Sequence, residues 1–155
     1  MPKQREIVRM TPEEGDAFLH EVHTMSVATL NPDGRPHVVA MWYGFLDGAP
    51  AFETYRKSQK ILNLQRDPRI TCMVEDGDKY EQLRGVELVG KGTIIEDPEA
   101  LRTVAIDLFH RHNSHLPSEH MDVYVEALMN KRWVVRVDVE HVVSWDHNKL
   151  GLSLG

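Results

Sequence analysis

The residues best equipped for chemistry lie in one stretch, Glu53 to Arg69 (ETYRKSQKILNLQRDPR). Arg56, Lys57, Lys60, Arg66 and Arg69 supply cations there against only Glu53 and Asp67. The whole chain carries a net charge of −6, so this excess is local. Placement adds to composition. β-Forming residues run from Ala51 to Tyr55, and Ile61, Leu62 and Leu64 then follow a helical pattern that Asp67-Pro68 stops. Arg56, Lys57 and Ser58 therefore sit where a strand hands over to a helix. The first amides of a helix lack intrahelical acceptors, and its dipole favours an anion. Arg56 offers a planar fork, Ser58 a hydroxyl and Lys60 a point charge, a set suited to a phosphate group. A solvated helix face with ordinary surface cations also fits the composition.

Other constellations carry less. His110, His112 and His115 are the densest histidines, but the first two do not share a helix face and no HExxH pattern supports them, so no metal site is expected. Cys72 is the single cysteine, mid-strand in RITCMVE, and reads as a buried structural thiol. No GxSxG elbow points to serine catalysis, and Glu75, Asp76 and Asp78 read as a turn rather than a calcium loop. The net negative charge disfavours nucleic acid and anionic membranes as partners. No apolar run approaches the roughly 18 residues of a membrane span. The opening MPKQREIVRM lacks the apolar stretch of a secretory signal, so a cytoplasmic location is expected.

The elements that must position these residues fit one domain. The chain has 155 residues, 41% hydrophobic and 27% charged, enough for a single core. Residues 1–10 read as a flexible arm and residues 11–155 as the domain. Thr11-Pro12-Glu13-Glu14 starts a helix with a capping box, burying Phe18, Leu19 and Val22 and ending near His23. Strands are expected at Met25–Leu30, Pro36–Leu46 and Ala51–Tyr55, joined by turns at Asn31-Pro32-Asp33-Gly34 and Asp47-Gly48 as an antiparallel meander. Further strands are expected at Arg69–Glu75, Leu83–Glu96 and Arg132–Val139, the last extendable through Trp145. Helices follow Ser58, run from Asp97 to about His112 and cover Ser118–Leu128. The class is mainly β (α+β), about six antiparallel strands in a small barrel or strongly coiled sheet with helices outside. A doubly wound α/β sheet is excluded by the lack of regular alternation and of a GxGxxG turn.

The order of Thr54, Arg56, Ser58, Lys60, Asn63, Leu64, Asp67, Pro68 and Arg69 resembles the flavin-phosphate segment of the pyridoxamine 5'-phosphate oxidase-like split-barrel superfamily. SVATLNPDGRPHVVAMWYGFLDG resembles that family's first hairpin, and LRGVELVGKGTIIEDPEAL its long fifth strand and following helix. The ending WVVRVDVEHVVSWDHNKLG is similar to its flavin/deazaflavin oxidoreductase branch. The resemblance implies a six-stranded antiparallel split β-barrel with flanking helices, a homodimer, and a cofactor, F-420 or FMN, in a groove between subunits. By position, Ser58 and Lys60 match phosphate binders and Arg56 neighbours them, while Met41 and Trp42 match the stretch against the cofactor ring. Tyr43, Tyr80, Arg84 and Trp145 are the expected substrate-side residues. The implied activity is hydride transfer between F-420 or FMN and a small organic substrate, with position and electrostatics supplied by the protein. The alternative is a flavin- or haem-binding carrier or sensor without turnover. Many relatives have proline or a polar residue where this chain has Ala40. The chain also lacks the arginine- and histidine-bearing C-terminal segment of true pyridoxamine phosphate oxidase, so vitamin B6 synthesis is not expected.

Overall fold

Period-two burial sets the strands. β1 (Thr24–Leu30) buries Met25, Val27 and Thr29 on one face, and β5 (Arg69–Asp76) buries Ile70, Cys72 and Val74. The computed structural model describes residues 1–151. Five further strands complete one antiparallel sheet: β2 (Pro36–Trp42), β3 (Gly44–Leu46), β4 (Ala49–Tyr55), β6 (Arg84–Ile95) and β7 (Arg132–Asp146). Their order is β2-β1-β5-β6-β7-β4-β3.

That order explains the barrel. β2 and β3 are consecutive in the chain, separated by Tyr43 alone, yet they occupy opposite edges of the sheet. Two Cα steps reach at most about 7.6 Å, whereas seven flat strands would hold their outer pair about 29 Å apart. The sheet must therefore curl until its edges meet at Tyr43.

The helices are α1 (Gln4–Ile7), α2 (Pro12–Glu21), α3 (Gln59–Arg66), α4 (Pro98–His112) and α5 (His120–Leu128). At α2, Thr11 Oγ1 accepts from the Glu14 amide at 3.1 Å, and Glu14 accepts from the Thr11 amide at 3.0 Å, the expected capping box. Side chains of β1, β5 and β6 pack inside the curl with Phe18, Tyr43 and Phe52. A second cluster lies beneath α4 and α5 around Val104, Leu108 and Val134.

Three expectations are corrected. The strand count is seven rather than six, because the segment Pro36–Leu46 breaks at Tyr43. The cause is tertiary: the Asp107 carboxylate of α4 accepts from the Phe45 amide at 2.8 Å, and a Cβ at Gly44 would lie 2.4 Å from that carboxylate. The meander is accordingly two hairpins, β1 with β2 and β3 with β4, while β4 goes on to pair with β7. The end of the expected arm is packed, while residues 1–7 are exposed: Val8 and Met10 are buried, the Val8 carbonyl accepts from the Asp146 amide at 2.7 Å, and the Met10 amide donates to Ser144 Oγ at 3.0 Å. Among the described residues no helix is long and apolar enough to cross a membrane.

Candidate functional site

The corner between β4 and α3 is built by local sequence. The Ser58 amide donates to the Tyr55 carbonyl at 2.9 Å, closing a turn with Arg56 and Lys57 exposed at its tip. Ser58 is the N-cap of α3 and accepts from the Ile61 amide at 3.4 Å, while Thr54 Oγ1 donates to the same hydroxyl at 3.3 Å. That hydroxyl keeps its own proton to donate. Among the described residues the amides of Gln59 and Lys60 have no backbone acceptor, the free donors a helix start offers an anion.

Lys60 is the unusual member. It is only 9% exposed and has no hydrogen-bond or ion-pair partner among the described residues. Burial pushes its ammonium below the usual lysine range, and the Glu53 carboxylate acts the other way. Glu53 itself is held by Arg132 Nη1 at 2.7 Å, and Arg132 lies 4.1 Å over the Tyr55 ring. Arg132 Nε is buried without a partner. Arg132 thus takes up the Glu53 carboxylate, which acts on Lys60 without contact. Arg132 and Tyr55 were missed by sequence reasoning; their register pairing across β4 and β7 is the signal, and it is invisible before the strands are paired.

These features fit a phosphate: free amides, a hydroxyl with a proton to give, an exposed arginine and a lysine whose stem is buried and whose ammonium is unpaired. Asn63 fixes the helix over the sheet by donating to Thr29 Oγ1 at 3.1 Å and Asn31 Oδ1 at 3.0 Å.

The expected ring-facing residues lie elsewhere in the subunit. Met41 is half-buried against the core, and Trp42 is 49% exposed. Trp42 pairs with Thr24, five residues along β1 from the Thr29 that holds α3, a separation of about 17 Å. Trp42 stacks on His112 with centroids 4.1 Å apart, and His23 meets His112 edge-on at 5.2 Å. Burial, then His23 and Arg111, hold the His112 pKa down at about 4, and its Nε2 is buried without a partner. His112 is therefore a neutral ring at pH 7.

The four expected substrate-side residues all make contacts within the fold. Tyr43 has no exposed surface; its hydroxyl bonds to the Leu19 and Val22 carbonyls at 2.5 and 2.7 Å, and burial pushes its pKa up to about 12. Arg111 donates to the same Val22 carbonyl at 2.8 Å, so both side chains close the end of α2. Arg84 is taken up by Glu21 at 2.9 Å and Asp76 at 2.7 Å and covers the Phe18 ring at 4.9 Å. Tyr80 accepts from Gln4 Nε2 at 2.7 Å and meets the His147 ring edge-on at 4.6 Å. Trp145 packs where Gly85 leaves room, since a Cβ there would lie 2.0 Å from the indole. Arg84, Tyr80 and Trp145 share one end of β6. The corner lies towards the other, where Leu64 of α3 covers Gly92, eight residues or about 27 Å from Arg84.

Comparisons with known proteins agree with this architecture. The chain is 26% identical over 129 residues to an F-420H(2)-dependent biliverdin reductase of Mycobacterium tuberculosis, covering 82% of each. Among solved structures, conserved hypothetical protein Rv2991 of Mycobacterium tuberculosis is 43% identical, with a TM-score of 0.90 over 99% of this chain and 98% of that one. A protein described as an F-420 reductase is 26% identical, with a TM-score of 0.66 over 85% of this chain and 98% of that one. The family model described as pyridoxamine 5'-phosphate oxidase matches residues 11–146. With the curled antiparallel sheet and its flanking helices, that match makes the chain a member of the pyridoxamine 5'-phosphate oxidase-like split-barrel family.

Proposed function

We propose that this protein is an oxidoreductase that uses F-420, with FMN as the second choice, to pass a hydride to a small organic acceptor. The single observation that carries the reading is the β4–α3 corner, where a lysine with a buried stem and an unpaired ammonium adjoins a helix start with two unbonded amides. The relatives named for F-420 favour the deazaflavin over FMN.

When bound, either cofactor supplies the redox centre. The chain's own residues bind, orient and exclude water. Ser58 and the Gln59 and Lys60 amides hold phosphate oxygens, Lys60 neutralises their charge from within the protein, and Arg56 closes from the solvent side. Glu53 holds Arg132 in place by its 2.7 Å ion pair and limits the positive charge left for the anion. Trp42 offers an apolar face for the ring, backed by the neutral His112. Trp42 and the corner are apart in one subunit, and edge strand β2 exposes Val38 and Trp42. Both features support a homodimer with the cofactor between subunits.

The test is direct. Protein purified from a host that lacks F-420 is titrated with F-420 and with FMN, following fluorescence quenching and visible absorbance. Reduced cofactor is then offered with enones, quinones and tetrapyrroles. Saturable F-420 binding with acceptor-dependent oxidation supports the reading. Failure of both cofactors to bind, or a Soret band in their place, refutes it.

A further inference from the structure

A cavity of about 580 Å³ lies far from the β4–α3 corner, between the N-terminal segment and the inner face of the sheet. Val139 and Val142 of β7, 39% and 50% exposed, give it accessible apolar surface, while Val86, Leu88, Met10 and Leu19 line it almost fully buried. The N-terminal side is fixed: the Val8 carbonyl and Met10 amide are bonded to β7, and Lys149 Nζ donates to the Arg9 carbonyl at 2.9 Å. The volume is in the range of small-molecule sites, and apolar walls are typical of them.

Two features mark this space as more than a packing fault. The first is Gly15. It lies inside α2, is buried and lines the cavity, yet no atom lies within 4 Å of where its Cβ would be. Glycine is the weakest helix former after proline, and nothing in the surroundings requires it. Its effect is to keep the space open. The second is the rim. Arg5 and Arg9 border the opening, both are exposed, and neither has an ion-pair partner among the described residues. Asp16, also in the lining, is exposed and its carboxylate offsets one of the two arginines. In a chain of net charge −6, two arginines against one aspartate beside an apolar cavity select for an anion.

We propose that this cavity binds a small amphipathic organic anion, its apolar body against Val139 and Val142 and its acid group on Arg5 and Arg9. The site is separate from the cofactor corner and stands whether or not the proposed oxidoreductase activity does.

Pyrenebutyrate and its uncharged counterpart pyrenebutanol are the probes, read by pyrene fluorescence against the full chain. The acid is expected to bind more tightly than the alcohol. Arg5→Gln with Arg9→Gln should weaken the acid about threefold to tenfold, the scale of exposed charge pairs, and leave the alcohol unchanged. Gly15→Leu should weaken both by about tenfold or more, as lost apolar burial requires, with an unchanged or higher Tm. Gly15→Ala, a milder filling that favours the helix, should fall between. Equal affinity for acid and alcohol overturns the proposal, as does binding untouched by Gly15→Leu in a folded protein. A change of oligomeric state on filling would assign the space to a second copy of the chain and overturn it too.

Discussion

Replacing Lys60 with methionine separates the binding role of the corner from its packing role. The methionine keeps a flexible apolar stem of similar length in a position only 9% exposed and removes the ammonium. A charge-assisted hydrogen bond is worth about 1.5–3 kcal/mol, so Lys60→Met should raise the Kd for F-420, or for FMN if that is the ligand, by roughly 10- to 150-fold. Stability should move the other way or not at all, because a partly desolvated ammonium on a buried stem is exchanged for an apolar group. The pH dependence gives an independent sign. Burial holds the folded-state pKa of Lys60 below the unfolded value of 10.5. Just below 10.5 the unfolded chain therefore holds more protons on this lysine than the folded one. Stability then rises with pH in that window, by comparison with Lys60→Met, and cofactor affinity falls over the same range. Fluorescence titration gives the Kd, and urea melts of both proteins at several pH values give the linkage. Unchanged affinity in a folded variant removes Lys60 from the site, and a lowered Tm at all pH values shows that the ammonium has a structural partner.

Other expectations follow from the same geometry. His112, held at about 4 against an ordinary 6.5, binds fewer protons folded than unfolded between those values. Stability is then lost as pH falls through that window, on the order of 1–2 kcal/mol after allowing for solvent screening. His112→Phe should flatten the loss, and an NMR titration of His112 near 6.5 would refute the account. Gly90→Ala should destabilise by about 1–3 kcal/mol, because the new Cβ would meet the Asp138 carbonyl at 2.0 Å beside the β6–β7 bulge; a neutral urea midpoint denies that close approach. Tyr43→Phe should cost about 1–3 kcal/mol of stability by leaving a buried carbonyl short of a donor, with turnover per folded molecule unchanged. Slower turnover in a fully stable variant would return Tyr43 to the substrate side.

Much of the frame was legible because its signals are local. The Thr11–Glu14 capping box, the Ser58 N-cap and the Asp97 cap each join residues no more than three apart. The turns at Gly34 and Gly48 adopt φ of 87° and 78°, as glycine permits. The phosphate-suited corner belongs to this legible part, since strand, turn, cap and helix are contiguous. What the sequence does not show depends on distant partners. Arg84 is bound to Glu21, 63 residues away, Arg132 to Glu53 at 79, and Arg111 to Val22 at 89. No spacing rule reaches across such separations, so the ion pairs of Arg84 are not legible in the sequence and Arg132 was not singled out.

The chain's own order of residues determined where helices and strands begin, that the sheet is antiparallel, and that cations gather at one strand-to-helix junction. Caps, turns and period-two burial act over a few residues and need no knowledge of the rest of the molecule. Only the tertiary structure decided that the second strand breaks at Tyr43 and joins opposite edges, that Lys60 has a buried stem and an unpaired ammonium, and that Gly15 opens onto a cavity. Those outcomes depend on which surfaces meet when the sheet curls, and desolvation and packing exist only once they have met.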